Sequence, residues 1–537
     1  YGLGYIPGPW MESIQISKGT ASVINGYEAV TGQINVEYKK PQTSEIVAAN
    51  VFASDAGRVE ANLNTSAKLS HKLSMGVLLH ASDEFIELDK NNDNFMDMPM
   101  VKQYNFINRW YYKNGDYLSQ VFLHGLSEKR MGGTLDKTYH IGIETERYEF
   151  FLKNGYVFNH RKNTSVGFIV SGSLHNQDAH YGTKKYIGSQ ENLYANLIFQ
   201  TSFGEKHKLS TGTSLNFDNY KEEMKTQTTV GFPRKEIVPG VFAEYSFHPV
   251  EQFVLLAGLR YDYNSLYGAF VTPRLHAKYA PNEHFVFRAS AGKGYRSPNV
   301  LSENNYLLAS NRVLLIDNHL KMEEAWNFGI SNQSFIHIGN KELSVAAEYY
   351  YTNFLQQTVV DADSNPHAVS FYNLQGKSYS QSAQIELNME ILKGLSLTAA
   401  HRINDVKTTI AGQLREKPLT SRYKSLFTAS YQSPLKKWQY DFTAQFNGGG
   451  RMPDPDAVHP LWNREFGAYT VLNAQITKYF RTWSVYVGSE NLTNFVQQNP
   501  FIDAASPGSD NFDASMIWGP LHGRKLYIGL RWAVNRE

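Results

Sequence analysis

Cysteine is absent from the 537 residues, and that removes a disulfide scaffold, a thiolate metal site and a cysteine nucleophile together. The absence suits an envelope protein, which must cross an oxidising compartment without mispairing. Long apolar runs are missing as well. No window approaches the roughly 18 apolar residues a spanning helix needs, and the mean hydropathy is -0.42, so a helical membrane protein is excluded. Neither sign of charge is in excess, the formal net charge being +2, and no basic run proposes nucleic acid as a partner. The 17 His show no H-E-x-x-H or other ligand spacing, and no G-x-S-x-G occurs. GKGY at Gly292 closes a strand instead of opening a helix, as a phosphate loop would. Without such motifs the chain is expected not to be an enzyme. After Pro41 there is no Pro/Ser-rich linker and no charge block, which argues for one very large unit.

What the chain has is aromatic content, at 14%, and alternation. Beyond Pro41, segments of about ten residues alternate apolar and polar positions. The gaps between them are short and long by turns. KNGD at Lys113, GEKH at Gly204, PNEH at Pro281 and LKG at Leu392 are short, with tight-turn chemistry. Asp83 to Met100, Lys129 to Glu144, Asn176 to Gly188, Asp218 to Lys235, Tyr295 to Lys321 and Asn494 to His522 are long and polar. Short hairpins on one rim and long loops on the other predict about 22 strands. In the last segment Leu526, Ile528, Leu530 and Trp532 share one face and Lys525, Tyr527, Gly529 and Arg531 the other. Phe253, Leu255, Ala257, Leu259 and Tyr261 likewise oppose Val254, Leu256, Gly258, Arg260 and Asp262. An apolar face with aromatics near its ends, opposite a charged face, is what a barrel with lipid outside and water inside requires. Closure is also the only way a sheet can sit in lipid without exposed edges.

The first 41 residues have a different texture. Ile14 to Tyr38 contains an alternating strand (Ile14, Ile16), a Lys-Gly turn, glycine breaks at Gly26 and Gly32, and a second strand (Ile34, Val36, Tyr38). By itself this is a small self-pairing α+β fragment.

Five stretches together resemble the TonB-dependent outer-membrane receptors. MESIQISKGTASVINGYEAVTGQINVEYKKP (Met11 to Pro41) resembles the final part of that family's plug. TPRLHAKYAPNEHFVFRASAGKGYRSPNV (Thr272 to Val300) resembles its mid-barrel signature, and LKMEEAWNFGI (Leu320 to Ile330) the strand that follows. VYVGSENLTN (Val485 to Asn494) and GRKLYIGLRW (Gly523 to Trp532) resemble its last two strands. The resemblance implies an all-β transmembrane antiparallel barrel of about 22 strands with a small α+β plug fragment in the lumen. Residues 1–41 would be the C-terminal part of the plug and 42–537 the barrel. The chain opens on Tyr1, so a TonB box and the first part of a plug are expected to lie outside this sequence. The family usually ends on an aromatic residue, whereas here AVNRE follows Trp532.

The implied function is active import across the outer membrane of a Gram-negative cell, driven by the periplasmic TonB complex, with outer-membrane lipid around the barrel. The expected cargo is a ferric siderophore or other metal chelate, with haem, cobalamin, copper and glycans as alternatives. A passive porin, or a binding component of a larger uptake complex with a surface lipoprotein, is the runner-up. For plug gating, Glu12 and Lys18 are candidates to pair with a lumen charge such as Glu490. For ligand capture the candidates are Met96, Met98 and Met100, whose thioethers suit a soft metal or an apolar chelate, and Tyr295, Arg296, Arg451 and His459. Each has a plainer alternative as loop filling or a solvated loop position. Asp361, Asp363 and Asn365 open like a calcium loop, but Pro366 stands where the glycine should be and Tyr372 where the bidentate Glu should be. Only a looser loop-bound calcium is therefore a candidate, and no cofactor is required.

Overall fold

The computed structural model describes residues 2–160, 163–226, 229–453 and 464–535. Among these, antiparallel strands close into a barrel in which the first strand, Val47–Ser54, pairs with the last, Lys525–Val534 (Val51 opposite Leu530). Twenty-three strand segments form the wall. Gln413–Glu416 and Tyr423–Gln432 both pair with Leu395–Ile410 and so act as one interrupted stave, which gives the expected 22.

The faces fall as the alternation predicts. Leu526, Ile528, Leu530 and Trp532 point outward and are exposed, as are Leu259, Tyr261, Phe285 and Phe287. The inward rows carry buried polar groups instead, among them Asn62, His80, Arg260, Asp262 and Arg274. Exposed apolar side chains on the outside and buried polar ones inside invert the soluble pattern, and lipid outside with a polar lumen inside resolves it.

Strand length departs from expectation. Instead of about ten residues, His140–Asn159 and Lys184–Phe203 have 20 and Thr229–Val250 has 22. The polar gaps 129–144, 176–188 and 218–235 are therefore mostly strand, and the second shrinks to a turn at Gly182 and Thr183. Cross-strand ion pairs, Lys129 with Glu144 at 2.8 Å and Lys185 with Asp178 at 2.8 Å, line these ribbons. Above the apolar band the outward face of these ribbons is charged, while the inward face packs on the mouth loops, Ile143, Ala179, Tyr181, Tyr186 and Met224 being buried with Leu301 and Leu308, so no lipid-facing apolar row announces the strand.

Residues 2–41 sit in the lumen. Met11–Lys18 pairs with Gly32–Tyr38 (Ile16 opposite Ile34), and the helical content is three single 3-10 turns, Gly2–Tyr5, Gly8–Trp10 and Val23–Asn25. The run between Gly19 and Gly26 is too short for an α-helix. Three wall glycines make room for this unit. A Cβ on Gly258 would lie 2.7 Å from Val23, on Gly292 2.7 Å from Thr20, and on Gly294 2.6 Å from Val30. GKG in the mid-barrel signature is thus a smooth surface against which the N-terminal unit packs.

Candidate functional site

The wall grips the lumen unit through its backbone. Arg274, 3% exposed, donates to the carbonyls of Ala21 (2.9 Å), Ser22 (3.0 Å) and Tyr27 (3.1 Å). Arg109 donates to those of Tyr38 and Lys39, both at 2.7 Å, and Asn196 to that of Ile24 at 3.1 Å. The planar guanidinium suits such a fork of acceptors, where an ammonium would satisfy fewer at fixed geometry. Trp10 is fully buried against Leu78 and Ile107.

Of the gating candidates, Lys18 does reach a wall carboxylate, but the partner is Glu348. Glu490 pairs instead with Lys525 at 2.7 Å, its register neighbour on the adjacent strand. Glu12 lies 3.8 Å from Lys40, within the N-terminal unit itself. The register of the strands, which no local pattern encodes, decides which lumen charge faces Lys18.

At the long-loop rim, three loops fold into the mouth and pack on one another. Leu301, Leu307 and Leu308 are buried there. The short strand Val313–Ile316 runs parallel to Ala368–Asn373, which pairs antiparallel with Thr358–Asp361. Asn311 donates to the carbonyls of Pro507 (3.0 Å) and Ser509 (2.7 Å). Arg312 Nε lies 3.1 Å from Asp513 Oδ2, an ion contact and not an aligned hydrogen bond, with both side chains at most 3% exposed.

Between these loops and the wall lies a cavity of about 770 Å³, lined among others by Arg296, Glu303, Tyr306, Glu323, Lys417 and Met516. Arg296 Nε donates to Glu323 at 2.8 Å, and its Nη2 lies 3.2 Å from Glu303. Burial pushes the Glu303 carboxyl up. The cavity therefore offers apolar walls with a guanidinium, an ammonium and two carboxylates, the mixture expected of a site for a small polar ligand with an apolar body. A second recess, of about 710 Å³, lies on the outer wall among Ala277, Ala289, Ala347 and Ala383 between Phe287, Ile330 and Tyr349. Small side chains between large ones make it, and it faces the bilayer.

Among the described residues predicted to bind ligand, the structure brings Arg296 alone to the mouth cavity. Tyr295 is buried against Phe270 (ring centroids 4.5 Å apart), and its amide donates to Tyr27 at 3.2 Å, so it faces the lumen unit. Arg451 holds Asp363 by two bonds of 2.9 and 2.8 Å and the Glu416 carbonyl at 2.8 Å, joining two loops. Met96, Met98 and Met100 are half-buried beside Phe95, which packs on Phe501 and Phe512, away from the cavity. His459 lies outside the described residues. Asp361 accepts from the amides of Asp363 (3.0 Å) and Ser364 (2.9 Å) and from Tyr372 (3.2 Å), an Asx-type turn. Asn365 accepts from the His367 amide at 2.8 Å. With Asp363 bound by Arg451, these side chains serve a turn and an ion pair. Among the described residues no group of three His, Asp or Glu is arranged to hold a metal. Glu323, Lys417 and Met516 were missed as lining residues. Met516 falls in a stretch correctly read as loop, but only packing shows which loop residues meet.

The lumen unit feels this cavity. Glu28 is open to lumen water yet ringed by wall, and its carboxyl is raised to about 6, first by this enclosure and then by repulsion from Glu236 and Asp218, with Arg296 and Arg234 opposing. A carboxyl whose docked value lies above its free value favours docking at low pH. That contribution is full below about 4.5 and is lost as pH rises through about 6. A spin label on Ser13→Cys, feasible because no native cysteine competes, is expected to be more mobile at pH 7.5 than at pH 5. Glu28→Gln should abolish that difference. Equal mobility at both values in the parent would refute the assignment.

A family model described as TonB dependent receptor-like, beta-barrel matches residues 81–492. No curated protein sequence matches the chain. Among solved structures, the siderophore receptor PirA from Pseudomonas aeruginosa is similar at 13% identity over 97% of this chain and 86% of that one, with a TM-score of 0.69. The copper transporter OprC is similar at 13% identity over 98% and 87%, with a TM-score of 0.77. A mutant of the ferric enterobactin receptor PfeA from Pseudomonas aeruginosa is similar at 13% identity over 98% and 86%, with a TM-score of 0.72. At such identities the likeness is one of fold. With a closed barrel, a lipid-facing apolar band and a match over most of its length, this chain is an outer-membrane protein and belongs to the TonB dependent receptor-like β-barrel family.

Proposed function

We propose that the protein imports a scarce ligand across the outer membrane, the ligand being captured in the mouth cavity and released past the lumen unit under force from TonB. Residues 1–41 act as the closing part of the plug and 42–537 as the barrel. The observation that carries this reading is the contact chain from cavity to plug. Arg296 lines the cavity and lies within the electrostatic reach of Glu28, and Tyr295 next to it binds the backbone of Tyr27. A ligand anion at Arg296 would compete for the charge that Glu303 and Glu323 now share, and so alter the field on the plug.

A metal chelate, a ferric siderophore first, is the proposed cargo. The support is a cavity of mixed character with a cation in its wall, and the siderophore and copper receptors among the similar structures. A passive porin fits less well, because the wall binds a folded unit inside the lumen through Arg274, Arg109 and Asn196.

Cells expressing the full-length native protein are expected to accumulate radio-iron from a ferric chelate, and to stop when the proton-motive force is collapsed. Arg296→Gln should raise the half-saturating concentration by about tenfold or more, the loss of one charged contact. Uptake that persists without proton-motive force would overturn the transport reading in favour of a pore.

A further inference from the structure

At the opposite, short-turn rim, which faces the periplasm in such barrels, lies a cavity of about 730 Å³ whose lining includes Lys68, His71, Lys72, Ser74, Tyr111 and Lys113. Strand register places Lys68, Ser74 and Tyr111 in one cross-strand row, Lys68 opposite Ser74 and Ser74 opposite Tyr111. Ser74 is buried, and it shares the inward parity of Leu78 and His80 on its strand. The row therefore faces the lumen and not the lipid.

None of the lining residues is acidic. The carboxylates nearby along the chain are engaged elsewhere. Glu45 takes Lys39 at 3.1 Å, Glu37 takes Lys40 at 3.0 Å with Glu12 at 3.8 Å from the same ammonium, and Asp116 takes His160 at 2.7 Å. Lys68, Lys72 and Lys113 have no carboxylate partner among the described residues. Three ammonium groups and an imidazole thus line one open space with no carboxylate among its lining residues, beside the segment through which the lumen unit joins the wall.

We propose that this periplasmic-mouth cavity is an anion site, separate from the ligand cavity at the other rim, and that it takes a multiply charged phosphate-type oxyanion. Lysines act here as point charges on flexible stems, which suits a polyanion of variable shape better than a planar carboxylate. The hydroxyls of Tyr111 and Ser74 supply neutral donors at the same wall. A free solute phosphate and the phosphate of an inner-leaflet headgroup share this chemistry. The lumen-facing row favours the free solute.

The test is calorimetric titration of the full purified chain in detergent with inorganic pyrophosphate. One saturable site is expected, weakened as salt rises, and weakened about tenfold or more in the K68Q/K72Q/K113Q variant. Arg296→Gln, at the far rim, should leave it unchanged, so failure here is distinguishable from failure of the import reading. The heat-modifiable shift of the barrel on gels verifies that the variant folds. Repeating the titration in nanodiscs assigns the source. If phosphatidylglycerol but not phosphatidylcholine suppresses pyrophosphate binding, a headgroup phosphate fills the site; equal binding in both assigns a free anion. No saturable binding by the parent, or equal binding by the triple variant, overturns the proposal.

Discussion

Replacing Arg274 with alanine is expected to loosen the N-terminal unit in the lumen and to raise conductance in planar bilayers above that of the parent. The side chain carries three hydrogen bonds of 2.9 to 3.1 Å to the carbonyls of Ala21, Ser22 and Tyr27, within a site that excludes water. Hydrogen bonds from a charged donor contribute about 1.5 to 3 kcal/mol each, and an acceptor left buried without a partner costs about 1 to 3 kcal/mol. The three share one donor group and are not additive, so a loss on the order of 4 kcal/mol in docking is expected. That is close to a thousandfold in the ratio of docked to undocked unit. Arg274→Lys, able to reach fewer of the three carbonyls, should fall between. Lys18→Ala in the same unit should do far less, below about 1 kcal/mol, because its ion pair with Glu348 stays partly in water, the two side chains being 38% and 20% exposed. Unchanged conductance in Arg274→Ala, with an unchanged mobility of the Ser13→Cys spin label, would remove the guanidinium from the docking account.

The contrast between Arg274 and Lys18 also marks how far sequence reasoning reaches. Period-two alternation reports a face only where the two faces meet different solvents. It therefore assigns Leu526 through Trp532 correctly to lipid and loses the same strands' neighbours where they rise above the bilayer. Lys129 to Glu144 and Asn176 to Gly188 read as loops because their outward faces are charged and turns interrupt them, yet they are mostly paired ribbon whose inward Ile143, Ala179, Tyr181 and Tyr186 pack against the mouth loops. Arg296 was legible because it ends a strand inside a motif and has to emerge at the mouth. Glu323, Lys417 and Met516 were not, since their meeting depends on how separate loops fold back over one rim. Glu348 could not be told from Glu490 as the partner of Lys18. Both are carboxylates on barrel strands, and which one faces the lysine depends on the cumulative stagger of the whole barrel. The grip of Arg274 was hidden for another reason: its acceptors are backbone carbonyls, which every residue has.

Breaking the Arg312–Asp513 pair is expected to free the loops that roof the mouth. Both side chains are almost fully buried, with Arg312 Nε 3.1 Å from Asp513 Oδ2, Nη1 donating to the Ala362 carbonyl at 3.2 Å, and Asp513 Oδ1 accepting from Ser515. Removing one partner of such a pair leaves the other charge buried, a cost of about 3 to 5 kcal/mol. Arg312→Met should therefore expose residues 300–322 and 505–516 to limited proteolysis and raise amide exchange there by about a hundredfold or more, while the barrel strands keep their protection. The double substitution Arg312→Met with Asp513→Leu removes the stranded charge as well. Replacing a buried ion pair by apolar groups of similar volume is often neutral or stabilising, so the double variant should recover most of the protection. Recovery would show that the pair fixes which loops meet more than how tightly they are held. If ligand entry requires these loops to part, the single variant should capture ligand faster and hold it less long than the parent, and the double variant should behave like the parent. Exchange in Arg312→Met indistinguishable from the parent would mean that the apolar packing of Leu301, Leu307, Leu308 and Phe512 closes the mouth without the ion pair.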